Sequence, residues 1–119
     1  MKLFGSLLII FFSLISFQVY ALGNAEELVS QCTVVPTEPE QAYARVRCEG
    51  YVGGILDAYS LVKEVYTGIQ LYCAPQKGIM ADDAVSAVID FLKQFPSKTD
   101  IPASSAVLLA LRNKYPCGQ

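Results

Sequence analysis

Four cysteines in a short chain without histidine constrain this sequence more than any other feature. They stand at Cys32, Cys48, Cys73 and Cys117 among 119 residues. Zinc sites are built from closely spaced ligand pairs, such as Cys-x-x-Cys or cysteine with histidine. These spacings offer no such pair, and no metal or other cofactor is implied. An even number of cysteines in a small exported chain reads instead as a disulfide framework. Two bridges are expected, and four cysteines allow three pairings.

Export is written at the start of the chain. Met1 and Lys2 precede a nearly uninterrupted apolar run from Leu3 to Phe17, and Val19 and Ala21 occupy the small-residue positions of a cleavage site. A basic start, a short apolar run and a Val-x-Ala end make a secretory signal peptide. The competing reading is a membrane anchor, but a spanning helix needs about 20 apolar residues. A leader over residues 1–21 and one domain over 22–119 follow. Removing 21 of the 119 residues leaves 98, and the loss of Lys2 takes the formal charge from −2 to −3. That balance offers nothing to nucleic acid or to an anionic membrane surface. A domain of this size has a limited core, for which covalent staples are a common remedy.

The mature chain reads as four helices. Asn24 followed by Glu27 makes a capping box for a short helix through Leu28, Val29 and Cys32. Thr37, Pro39 and Glu40 mark a second start, and that helix is expected to run to about Thr67, with Gly68 beyond its end. Ala44, Cys48, Tyr51, Ile55, Ala58, Tyr59, Val62 and Tyr66 fall on one face at helical spacing. A second stripe holds Arg47, Gly50, Gly54, Asp57, Leu61 and Glu64, with Gly53 beside it. Glycine inside a helix costs about 1 kcal/mol against alanine, and close approach of another helix is the expected compensation. A third helix is expected from Met80 to Phe95, with Asp82 and Asp83 at the positive end of its dipole. Its inner face is Ala81, Ala84, Val85, Val88, Leu92 and Phe95. Pro96 stops it, Asp100 is placed to cap a fourth helix, and Ala103, Ala106, Val107, Ala110 and Leu111 face inward. Strand candidates at Val34-Val35 and Ile69 to Cys73 lack partners of useful length. The fold class is an all-α bundle of four helices.

This topology suggests one of the three pairings. Short loops make successive helices antiparallel. The end of the first helix then meets the early turns of the second, which brings Cys32 to Cys48. The second and fourth helices run the same way, which brings Cys73 to Cys117. Each closure stabilises by about 3–4 kcal/mol in the chain-entropy account.

Catalysis has little to work with. Histidine, the usual general base, is missing. Ser60, Ser86, Ser104 and Ser105 have no histidine to activate them, and cysteines held as disulfides supply no thiolate. The adjacent pairs Glu26/Glu27 and Asp82/Asp83 are explained as helix-start residues. The chain is read as a binding protein, not an enzyme. Its candidate contacts are Arg47 and Asp57 on the glycine stripe and the loop Ser97, Lys98, Thr99 and Asp100. The plain alternatives are a solvated helix face and a simple connector. Tyr51 and Tyr59 are expected in the core, while Tyr43 and Tyr66 are left open.

Several segments resemble the Rap/Tai family. They are Cys48-Glu49-Gly50-Tyr51-Val52-Gly53-Gly54-Ile55 on the long helix, Tyr72-Cys73-Ala74-Pro75 after it, the Val85 to Pro96 helix, and the closing Ala106 to Cys117. The likeness covers roughly Asn24 to Cys117, and it is the ordered set, not any single piece, that is specific. The resemblance implies a small exported helical immunity protein of the Gram-negative periplasm. Such a protein binds a peptidoglycan-cleaving amidase toxin delivered by type VI secretion and obstructs its active site, and some members form homodimers. The fold also resembles that of HdeA-type acid-stress chaperones, so a periplasmic chaperone is the alternative. A subunit of a cell-envelope assembly without a toxin is a third reading. Cleavage after Ala21 predicts an exported chain that begins Leu22-Gly23-Asn24 by mass spectrometry and shows no titratable thiol before reduction. Four free thiols would overturn the disulfide reading.

Overall fold

The computed structural model describes residues 22–118, so the expected leader lies outside the described residues. Within them the chain forms four α-helices and no strand: α1 (Ala25–Cys32), α2 (Pro39–Val65), α3 (Ala81–Gln94) and α4 (Ala103–Lys114), with a 3-10 turn at Pro96–Lys98 before α4. The expected all-helical class holds. So does the expected pairing, with Cys32 bonded to Cys48 and Cys73 to Cys117 at Cα separations of 5.1 and 5.0 Å.

Helix starts follow local chemistry, not always as read. Asn24 caps α1, its Oδ1 accepting the Glu27 amide at 2.9 Å, and Glu27 Oε2 accepts the Gly23 amide at 3.1 Å. At α2 the N-cap is Glu38, without a side-chain cap bond, and Pro39 is the first helical residue. Thr37 does not cap, because Gln41 reaches back and its Oε1 accepts both the Thr37 amide and its hydroxyl. Asp100 does not cap α4 either. Pro102 holds that position, and the Ala103 amide donates to the Gly23 carbonyl at 3.3 Å. The helix end expected near Thr67 comes at Val65, with Tyr66 as C-cap, and Gly68 follows in the left-handed region at φ +100°.

Helix length explains the shape of the core. At about 1.5 Å per residue, α2 is roughly 40 Å long, while α1, α3 and α4 are roughly 12, 21 and 18 Å. Three short helices cannot cover a long one. Cys48, Val52 and Tyr59 of α2 are buried, whereas Ala58, Val62 and Tyr66, expected on the inner face, are exposed. The face is therefore real only over the middle of the helix. α3 buries Ala84, Val85, Ala87, Val88, Phe91 and Leu92, so Ala87 and Phe91 take the inner places expected of Ala81 and Phe95. All five inner residues expected on α4 are buried. Leu28, Val52, Val85, Val88, Val107 and Leu111 are the largest enclosed aliphatic side chains.

Among the described residues no helix is long and apolar enough to cross a membrane. Leu111 is fully enclosed while Leu61 is 61% exposed. Leu111→Ala should therefore cost about 2–5 kcal/mol and Leu61→Ala no more than about 0.5 kcal/mol, as read from urea denaturation of the oxidised protein.

Candidate functional site

The segment from Pro96 to Pro102 is held rigidly, although it lies between helices. Lys98 donates its amide to the Phe95 carbonyl at 3.0 Å, closing the 3-10 turn. The carbonyls of Thr99 and Ile101 then accept the Glu26 and Ala25 amides at 3.1 and 2.9 Å. The first amides of a helix have no intrahelical partner, so this loop supplies acceptors that α1 cannot supply itself. Asn24 and Pro102 form an isolated antiparallel bridge in the same place. Ser97, Lys98 and Asp100 project from this clamp and are exposed, while Thr99 is half-buried.

A small apolar groove adjoins the loop. It has a volume of about 180 Å³, and Val29, Ile89, Leu92 and Pro96 are its principal apolar walls. Thr99 lies at one edge, and Glu26 and Lys93 place one charge of each sign on the rim. Sites for whole small molecules usually span about 300–1,000 Å³. This groove is smaller than that and lies beside the rigid polar loop. Ile89 and Val29 were not marked as site residues by sequence reasoning. The signal was only that they lie at the polar edge of otherwise buried helix faces.

Arg47 and Asp57 stand elsewhere. Both are exposed on α2, ten residues apart and hence about 15 Å along the axis. Among the described residues no hydrogen bond or ion pair joins either to the loop. The structure thus keeps the six candidate residues as a rigid loop and two separated points on a helix. Nor do the glycines of their stripe serve close helix packing: a Cβ at Gly50, Gly53 or Gly54 would meet nothing within 4 Å. The physical reason is that α1, α3 and α4 gather on the opposite side, around Cys48 and Val52, and leave this face open.

Sequence reasoning missed Arg45. Its Nη1 donates to the Cys32 carbonyl at 2.8 Å, and its Nε donates to Glu49 Oε1 at 2.7 Å. Nη2 lies 3.9 Å from Asp82 Oδ1. A cation at the end of α1 satisfies a carbonyl left open there and complements the helix dipole. The one visible signal was Glu49 four residues after Arg45. The link to Cys32 is tertiary.

At the other end of the molecule the Tyr59 and Tyr72 rings meet with centroids 4.5 Å apart, and Tyr59 Oη accepts the Leu71 amide at 2.7 Å. Burial, and next the neighbouring Tyr59, push the Tyr72 hydroxyl above the ordinary tyrosine value. Apolar side chains remain uncovered nearby, with Leu61, Val65 and Tyr66 each more than 60% exposed. Among the described residues no group of three or more potential metal ligands gathers.

Neighbouring arginines should behave differently. Arg45→Ala removes a charged hydrogen bond to a buried helix end and is expected to cost about 1.5–3 kcal/mol. Arg47→Ala should stay within about 0.5 kcal/mol. Parallel thermal melts of the two variants check the contrast.

No curated protein matches this chain. The model of the family described as Rap1a immunity proteins matches residues 24–117. The match spans all four helices, both disulfides and the clamped loop, and it agrees with the resemblance carried by the Cys48–Ile55 and Tyr72–Pro75 segments. The chain belongs to the Rap1a immunity protein family.

Proposed function

We propose that this chain is an exported immunity protein that binds a peptidoglycan amidase toxin delivered by type VI secretion and blocks its active site in the periplasm. The family supports an immunity role, and an immunity role requires a toxin partner. Two disulfides belong to oxidising compartments such as the periplasm. Leu22, the first residue after the proposed cleavage point, is buried, and Gly23 and Ala25 are tied to Ala103 and Ile101. Cleavage after Ala21 therefore removes no part of the described fold.

The observation that carries the proposal is the clamp on the Pro96–Pro102 segment. Inserting a loop into an enzyme cleft costs ordering entropy unless the loop is already fixed. The Thr99 and Ile101 carbonyls fix this one through α1, leaving Ser97, Lys98 and Asp100 free to meet a partner. The adjoining groove gives the partner an apolar place to anchor. Inhibition works by occupying the amidase cleft, with no chemical step on the immunity protein. Arg47 and Asp57 lie on the open face of α2, away from this contact, where their charges steer association more than they hold it.

The test is inhibition of sacculus hydrolysis by purified type VI peptidoglycan amidases, with affinity measured by calorimetry. The oxidised mature protein should inhibit stoichiometrically. The double variant Lys98→Ala, Asp100→Ala should weaken binding by about tenfold or more, as expected for a cluster near the centre of an interface, with an unchanged helical spectrum. Arg47→Ala and Asp57→Ala should act on the association rate and its salt dependence. No binding to any peptidoglycan amidase, together with holdase activity switched on by acid unfolding, would replace this reading with the chaperone.

A further inference from the structure

The two disulfides stand in opposite environments. Cys32 and Cys48 are fully enclosed, at 0% exposure each. Cys73 and Cys117 are both partly exposed. A cavity of about 470 Å³ opens at this second bond, lined among the described residues by Gln70, Leu71, Arg112, Pro116, Cys117 and Gly118. Cys117 borders it and Cys73 does not. The sulfur of Cys73 has a different neighbour: Gln70 Nε2 donates to Cys73 Sγ at 3.0 Å.

Thiol–disulfide exchange depends on access, on which sulfur is attacked, and on how well the departing sulfur carries negative charge. A thiolate entering the cavity meets Cys117. A hydrogen bond to Cys73 Sγ favours its charged form and makes Cys73 the better leaving group. Arg112 on the cavity wall attracts anions. These three features lie on different residues and favour the same direction of attack.

We propose that Cys73–Cys117 is a thiol–disulfide exchange site, attacked at Cys117 by a small thiol bearing carboxylates, while Cys32–Cys48 is a permanent staple. The incoming thiolate forms a bond to Cys117 Sγ, the Cys73–Cys117 bond breaks, and its electron pair leaves on Cys73 Sγ. That thiolate is held by the Gln70 amide until it takes a proton from solvent. A second thiolate then attacks the sulfur of the small thiol in the mixed disulfide. One oxidised small-molecule disulfide is released and Cys117 becomes a thiol. Two electrons pass from two small thiols to the protein, so the exchange is balanced and reverses in an oxidising medium.

Opening this bond frees the Tyr72–Pro75 segment from the chain end. What remains there is the Leu71 amide on Tyr59 Oη and the Cys73 amide on the Tyr115 carbonyl at 2.8 Å. The Pro96–Pro102 loop stands about one α4 length away, roughly 18 Å, and its ties to α1 do not involve either sulfur. The exchange loosens one end of the molecule without touching the other.

The oxidised mature protein is treated with limiting reduced glutathione, quenched with N-ethylmaleimide, and mapped by peptide mass spectrometry. The expected product carries glutathione on Cys117 and maleimide on Cys73, with Cys32–Cys48 intact and opening at least about tenfold more slowly. Gln70→Leu should spread the glutathione over both cysteines. Arg112→Gln should slow exchange with glutathione several-fold and slow exchange with 2-mercaptoethanol, whose thiolate carries no carboxylate, distinctly less. Opening of both disulfides at one rate would mean exchange through global unfolding and would overturn the proposal. Glutathione found mainly on Cys73 would overturn it as well, and equal slowing with both thiols in Arg112→Gln would remove the preference for an anionic thiol.

Discussion

An eight-residue helix has no independent stability in water, where helices shorter than about 12–15 residues are marginal. α1 is such a helix, and everything at the loop end of this molecule depends on how it is held. Its last residue is bonded through Cys32 to Cys48, and the Cys32 carbonyl takes the Arg45 guanidinium. Its first amides are taken by Thr99, Ile101 and the Asn24 side chain. Leu28 and Ala25 are fully enclosed between these ends. The disulfide, the cation and the loop therefore act on one element, and the rigidity of the loop is the counterpart of the ordering of α1.

The same arithmetic of lengths shapes the other end. α2 is longer than any helix available to cover it, so its last turns carry Leu61, Val65 and Tyr66 into solvent. The open glycine face belongs to the same imbalance. Gly50, Gly53 and Gly54 lower helix propensity and receive no helix in return. The helix persists because Cys48, Val52 and Tyr59 are buried along one side and Cys48 is covalently fixed. Tertiary packing here outweighs local preference, as it commonly does in helical domains.

An immunity protein need only present a fixed surface, and the economy of this fold is consistent with that role. The family gives the role, while the structure supplies a loop whose backbone is already held by α1 and whose outward side chains, Ser97, Lys98 and Asp100, are polar. Such a loop loses little backbone freedom on binding. A groove of about 180 Å³ lined by Val29, Ile89, Leu92 and Pro96 adds the apolar element that a purely polar loop lacks.

Much of this is legible in the sequence. The three-four spacing of α3 and α4, the capping box at Asn24, the cysteine count and the paired ends of antiparallel helices were enough for the helical class and for both disulfides, because these signals are local or follow from connectivity. Other features belonged to tertiary structure alone. Arg45 reaches a carbonyl 13 residues away in sequence, Thr99 and Ile101 accept from a helix more than 70 residues earlier, and the glycine face is open because three other helices chose the opposite side. A sequence states which face of a helix is apolar, but not how far a neighbour extends along it. That is why the middle of α2 behaved as read while Val62 and Tyr66 did not. Side-chain periodicity is set within one element, whereas burial and long-range hydrogen bonds are set by the lengths and placement of all of them together.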